Sequence, residues 1–316
     1  MKKRETIWLV AVVVASVIVV VVGILAFRYR YVAQTHASLL QAGTRDDRTP
    51  ASVVLRNGFG NQLFEVAALL GYAERHDLQP LLDLEKVSVN AYAHTTTLTT
   101  DWYHDLVVSS LPMNHEVVGE AGHSTEYTDL PVRPGAVLLD GWFQSPKYFP
   151  APAVLRRHIH PPAALVDEVR ARWPVADDPR AVAMHIRRGD YALISKKMLL
   201  DTKEDYYQRA LATMANRVGA TPATPAPLAV FSDDIDWCRS FFVRFPQPCY
   251  TMVYVRDQRD VHELALMAQF KHHILSNSTF GWWGAVLADS QDVCAPYPWD
   301  ALSDSKDVYM AHWTLL

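Results

Sequence analysis

Apolar and polar positions along the chain fall into three regimes. Residues 7–27 form one uncharged run dense in Val, Ile, Leu and Ala. Residues 29–50 turn polar, with Gln34, Thr35, His36, Thr44, Asp46 and Asp47 and little apolar periodicity. From Ala51 onward short apolar runs alternate with longer stretches of helical spacing, a pattern that predicts strands and helices in turn.

The first regime predicts a membrane-spanning helix, since about 21 residues at ~1.5 Å each cover roughly the thickness of a bilayer core. A cleavable leader has a shorter apolar stretch and a small-x-small cleavage site, which is not cleanly present here. Lys2, Lys3 and Arg4 precede the run and Arg28, Arg30, Arg45 and Arg48 follow it, so charge balance leaves orientation open. A very short amino-terminal tail before a large folded region is the layout of a signal anchor. The expectation is a tail at 1–6, an anchor at 7–27, a stem at 28–50 and a lumenal globular part.

Within the globular part, Ser52-Val53-Val54-Leu55 reads as a strand, Arg56-Asn57-Gly58-Phe59-Gly60-Asn61-Gln62 as a loop, and residues 63–75 as a helix. Pro161-Pro162, Trp173-Pro174 and Asp178-Pro179 punctuate the chain and predict a boundary near 179, giving halves at 51–178 and 179–316. Beyond it strands near 181–186, 228–231, 250–255 and 273–275 alternate with helices near 205–217, from 235, and near 261–270. Such alternation predicts a parallel sheet covered by helices on both faces. Three prolines between 221 and 227 mark a surface loop.

Composition narrows the class. The chain has 316 residues, half of them apolar, which suffices for one or two domains with a large core. A formal net charge of −4 without long basic runs excludes a nucleic-acid footprint. Cys238, Cys249 and Cys294 lack metal-ligand spacing and allow at most one bridge.

Four phrases carry candidate chemistry. In His185-Ile186-Arg187-Arg188-Gly189-Asp190-Tyr191, two adjacent guanidinium forks follow an apolar strand and suit a pyrophosphate; equally, they suit surface ion pairs with Asp190 and other acids. His185 reads as a core histidine or as a ligand contact. The glycines of Gly58-Phe59-Gly60-Asn61-Gln62 would let backbone approach a ligand, or merely make a tight turn capped by Asn61. The phrase lacks the third glycine of a dinucleotide fingerprint, Leu63 following Gln62. Asp234 and Asp236 after Phe231-Ser232-Asp233 have the spacing of a divalent-metal pair, although helix capping is the commoner use. Leu275-Ser276-Asn277-Ser278-Thr279-Phe280-Gly281-Trp282-Trp283 ends a strand and opens a helix, whose free N–H groups with Ser278 and Thr279 would cradle an anion. Trp282 and Trp283 read as core beneath it, and Asn277-Ser278-Thr279 is also a glycosylation sequon.

Together, in this order, these phrases resemble the α-1,2-fucosyltransferases of glycosyltransferase family 11, which carry GxGNQxF, HxRRxDY, FSDD and NS(S/T)FxWWxAxL. Leu139-Asp140-Gly141-Trp142-Phe143-Gln144-Ser145-Pro146-Lys147-Tyr148-Phe149 and the approach 260–273 also look familial. The resemblance implies a GT-B-like fold of two facing Rossmann-type halves, residues 51–178 on the acceptor side and residues 179–316 holding GDP-fucose, here preceded by the single transmembrane helix that the apolar run predicts. It further implies inverting, metal-independent transfer of L-fucose from GDP-β-L-fucose to the 2-hydroxyl of a terminal β-galactoside. No cofactor is expected. Arg187 would grip the β-phosphate, with Arg188 and Asp190 ordering the loop. His185 and one of Asp233 and Asp234 would contact guanine. Asn277, Ser278 and Thr279 would serve the phosphates, and Gly58, Gly60, Asn61 and Gln62 would face the cleft from the other half. Arg56-Asn57 ahead of Gly58, and Gly281, depart from the usual pattern, where further glycine and serine are common. The anchor and stem resemble those of a type II Golgi enzyme.

Overall fold

The computed structural model describes residues 47–88, 101–120, 125–189, 191, 204–256, 259–299 and 303–316. The predicted tail, anchor and most of the stem lie outside the described residues, as does Asp190. Among the described residues no helix is long and apolar enough to cross a membrane.

The first sheet is built from β1 (Pro50–Val53), β3 (Gln79–Leu82), β5 (Val107–Val108), β6 (Glu116–Gly119) and β7 (Val137–Asp140), all parallel, in the order β5-β3-β1-β7-β6. Two short strands, β2 (Leu55–Arg56) and β4 (Val87–Ser88), pair beside it. Between β2 and β3 runs α1 (Phe59–His76), starting four residues earlier than periodicity predicts. Most of it is buried, which blurs the apolar stripe that would have marked its start. No side chain caps that start: Gly58 holds the N-cap position, not Asn61, and its carbonyl accepts from the N–H groups of Asn61 and Gln62.

After α2 (Pro152–His158) and α3 (Ala163–Arg172) the chain enters the second sheet. Its strands are β8 (Val182–Ile186), β9 (Ala226–Ser232), β10 (Tyr250–Tyr254), β11 (His272–Ile274), β12 (Asp292–Ala295) and β13 (Thr314–Leu315). They are parallel, in the order β10-β9-β8-β11-β12-β13. The intervening helices are α4 (Glu204–Arg217), α5 (Ile235–Arg244), α6 (Asp260–Met267) and α7 (Thr279–Leu287). This is the doubly wound order 3-2-1-4-5-6, whose direction reverses between β8 and β11; ligands of such sheets bind outside the carboxyl ends of the strands at that reversal.

One apolar core runs beneath both sheets, uniting Phe64, Leu69 and Phe143 with Leu264, Met267, Trp282 and Trp283. Phe64 and Phe149 stack on Trp282 and Trp283 at centroid separations of 4.5–5.8 Å, and Trp282 Nε1 donates to the Val308 carbonyl at 2.7 Å. The two tryptophans are therefore packing residues. The three cysteines are free; burial pushes the Cys238 thiol up to about 12 and that of Cys294 up to about 11.

Candidate functional site

At the reversal of the second sheet, the carboxyl end of β8 delivers His185, Arg187 and Arg188, and that of β11 delivers Ser276, Asn277 and Ser278. His185 Nδ1 lies 2.9 Å from Ser276 Oγ, joining the two strand ends. The ring is buried, and desolvation, with the Arg187 charge second, lowers its pKa to about 3. His185 is thus neutral, with its Nδ1 engaged inside the protein.

The two arginines are not equivalent. Arg188 is pinned: its Nε donates to Asp234 Oδ2 at 3.2 Å, its backbone N–H donates to Asp233 Oδ1 at 2.9 Å, and its guanidinium sits 4.1 Å from the Trp237 ring. Only 14% of its side chain is exposed, against 30% for Arg187. Arg187 Nη1 meets Asp233 Oδ2 at 2.8 Å, and its guanidinium lies 5.7 Å from the Tyr191 ring. Asp233 and Asp234 orient the arginines, so ion pairing and anion presentation, alternatives in the sequence, coexist here. Gly189 packs so tightly on Asp233 that a Cβ would come within 2.4 Å of its carboxylate. Asp234 also caps α5, accepting from the Trp237 N–H at 3.0 Å, while Asp236 is exposed near Arg256. Both Asp234 oxygens thus accept hydrogen bonds, in keeping with a capping role.

Opposite lies the amino end of α7. Ser278 caps it by accepting from the Phe280 N–H, and Asn277 is only 4% exposed, which sets the sequon inside the fold rather than on its surface. Tyr191 donates to the Asn277 carbonyl at 3.1 Å. Gly281 has its physical reason in His185: a Cβ there would stand 2.9 Å from the ring.

The first half reaches this point through α1. A Cβ on Gly60 would lie 2.7 Å from backbone of Thr279 and Phe280, so this glycine admits protein rather than ligand. Gly58 has no such neighbour; it is Asn57 that takes the left-handed backbone, at φ 58°, which asparagine tolerates. Asn61 Oδ1 accepts from Gln144 Nε2 at 3.2 Å. Gln62, expected to face the cleft, is fully buried and donates to the Asn57 carbonyl at 3.0 Å, bracing the turn. Trp237, Ser276 and Tyr191 take part in the site, although the sequence phrases give Ser276 and Tyr191 no role of their own and omit Trp237. The hint for Trp237 was its place three residues after a capping Asp.

A doubly wound parallel sheet whose reversal is lined by two arginines is an arrangement suited to an anionic ligand. The sequence profile described as Glycosyl transferase family 11 matches residues 113–316. The chain belongs to glycosyl transferase family 11. An α-1,2-colitosyltransferase of Escherichia coli is 28% identical over 169 residues, 52% of this chain and 57% of that protein. A galactoside 2-α-L-fucosyltransferase, Sec1 of Mus musculus, is 29% identical over 114 residues, 35% of this chain and 30% of that protein. The chain thus spans about half or less of the length of these curated relatives. An Arabidopsis thaliana FUT1 variant solved with GDP has the same fold over 84% of this chain and 74% of its own, at TM-score 0.50 and 13% identity.

Proposed function

We propose that the chain moves L-fucose from GDP-β-L-fucose to the 2-hydroxyl of a terminal β-galactoside, inverting the anomeric carbon and using no metal ion. The observation that carries this reading is the pair Arg187 and Arg188 at the sheet reversal, facing the amino end of α7. Membership in the family supports it. So does the 1,2 linkage in the names of both curated relatives.

As the fucose C1–O bond breaks, the sugar gains positive and the GDP negative charge. Arg187, oriented by Asp233, lies along the β-phosphate, and Arg188 braces the loop from beneath. The positive end of the α7 dipole adds to that field. Charge fixed in place where charge develops is commonly the largest catalytic contribution, and here it does a metal's electrostatic task. The acceptor oxygen attacks C1 from the face opposite GDP, which inverts the centre, and its proton leaves with the departing phosphate or to solvent. His185, being neutral, supplies shape and hydrogen bonding rather than charge. By this reading the chain works as a single-pass type II protein anchored through residues 7–27, its catalytic part in the Golgi lumen.

The test is transfer by the full chain in detergent, with GDP-fucose, lactose and EDTA, the product linkage read by NMR. An α-1,2-linked fucose is the expected product. The E. coli relative favours a second reading, in which the donor is GDP-colitose. Turnover of that donor alone would establish it, and failure to bind GDP at all would end both.

A further inference from the structure

Glu65, on the second turn of α1, is a fully buried acid that stands outside the donor site. Its Oε2 accepts from the Arg56 backbone N–H at 2.9 Å. Its Oε1 makes no hydrogen bond among the described residues; it lies 3.9 Å from Arg56 Nε, which makes none either. That gap is about 1 Å longer than a hydrogen bond. Facing Glu65 as well is the Tyr103 hydroxyl, buried and likewise without a hydrogen bond among the described residues. Trp102, packed edge-on against Phe59 at 5.0 Å, seats that segment on α1. Burial first, and the neighbouring Glu65 second, push the Tyr103 hydroxyl up.

Arg56 is not placed to neutralise this acid. Its Nη2 pairs with Asp140, the last residue of β7, which is half-exposed, and its guanidinium lies 5.5 Å from the Trp142 ring. A carboxylate with neither solvent nor a hydrogen-bonded cation is far more costly than one at the rim. An ionised Glu65 would therefore claim the guanidinium from Asp140, whose own charge water can carry. A fork handed outward to Asp140 is the arrangement of a neutral Glu65. Burial, the largest influence, raises its carboxyl well above the usual range; the Arg56 N–H and charge lower it, and Asp140 raises it. Arg56 from β2 and Asp140 from β7 are the charged groups that act on it, and Tyr103 faces it from the segment ahead of β5.

We propose that Glu65 is a proton-holding switch: as the neutral acid it leaves Arg56 to Asp140, and as the carboxylate, its proton given up to solvent, it draws the guanidinium inward and releases Asp140. The inward step is short, because Nε already stands close to Oε1. Arg56 leads directly into Asn57, held at φ 58°, and so into the turn that sets Gly60 against Thr279 and Phe280. The switch thus sits at the root of the contact between α1 and α7. A group whose folded pKa is raised contributes stability that is complete below the ordinary unfolded value of about 4.3 and is lost as pH rises through the folded one. Glu65 accordingly favours the folded chain on the acid side. The inference is independent of the transferase reading.

The test is infrared spectroscopy of the full chain in detergent, reading the carbonyl band of protonated carboxylic acids from pH 5 upward until it is lost. The parent is expected to show at pH 7 a band that Glu65→Gln lacks. As that band disappears, the fluorescence of Trp142, taken as the difference between the parent and Trp142→Phe, should change because Arg56 leaves the indole. In Glu65→Gln the same difference should stay constant. Asp140→Asn, which frees Arg56 to turn inward, should lose the band at a pH lower by about one or more; this variant decides the matter even where Glu65→Gln folds poorly. Superposable spectra of the parent and Glu65→Gln at pH 7 would overturn the proposal, since Glu65 would then be ionised. So would an unmoved band in Asp140→Asn, or a Trp142 signal that follows pH equally in Glu65→Gln, because Arg56 would then not answer to Glu65.

Discussion

Arg187 and Arg188 stand side by side in sequence but do different work. Arg188 is clamped by Asp233, Asp234 and Trp237, whereas Arg187 is the more exposed of the two. Arg187→Ala is expected to lower kcat by roughly a hundredfold or more, the usual size for removing one preorganised donor, with an unchanged circular-dichroism spectrum and melting temperature. Near-parental turnover by that folded variant would remove the basis of the functional reading. The buried histidines make a second prediction. Desolvation lowers His185 to about 3 and His273 to about 4, below the value of about 6.5 they take when unfolded. Between those values the unfolded chain binds more protons than the folded one, so stability falls as pH drops below about 6.5 and goes on falling toward pH 4. The buried Glu65, its carboxyl pushed well up by burial, acts in the opposite sense, so the histidine contribution is read as a difference: urea midpoints from pH 7 to pH 4 should fall less, or rise more, in His273→Gln than in the parent.

At the scale of elements, the contact between the amino ends of α1 and α7 depends on one missing side chain. Gly60→Ala would push a methyl group into the backbone of Thr279 and Phe280. Overpacking of that kind costs about 1–3 kcal/mol, and calorimetry should show the lower melting temperature together with weaker GDP binding, since α7 moves with it. Sequence periodicity foretold the second half well: β8, α4, α5 and β10 fall within a residue or so of expectation, because β8 is an unbroken apolar run buried on both faces and α4 and α5 are amphipathic. The start of α1 was missed because a glycine pair reads as loop, and nothing in the local sequence says that another helix fills the space beside it. The role of Asp233 was hidden for a similar reason. Its partner Arg187 lies far away in sequence and becomes a neighbour only through the β8–β9 pairing. Gln62 looked like a cleft residue because no linear pattern reports burial of a lone amide.

At the scale of the molecule, two parallel sheets share one apolar core, and the reversal of the second is lined by arginines. The second sheet was legible from alternating strands and helices; of the first, only its leading strand and helix were, and strand order was not, because it is set by three-dimensional packing. Ligand binding at the arginines should stabilise the whole: GDP at about a hundredfold over its Kd adds about 2.7 kcal/mol. The resulting rise in melting temperature should be largely lost in Arg187→Ala. The aromatic cluster of Phe64, Phe149, Trp282 and Trp283 spans the seam between the sheets. A seam made of buried side chains couples the two sheets, so the halves are expected to melt together in one transition rather than one after the other.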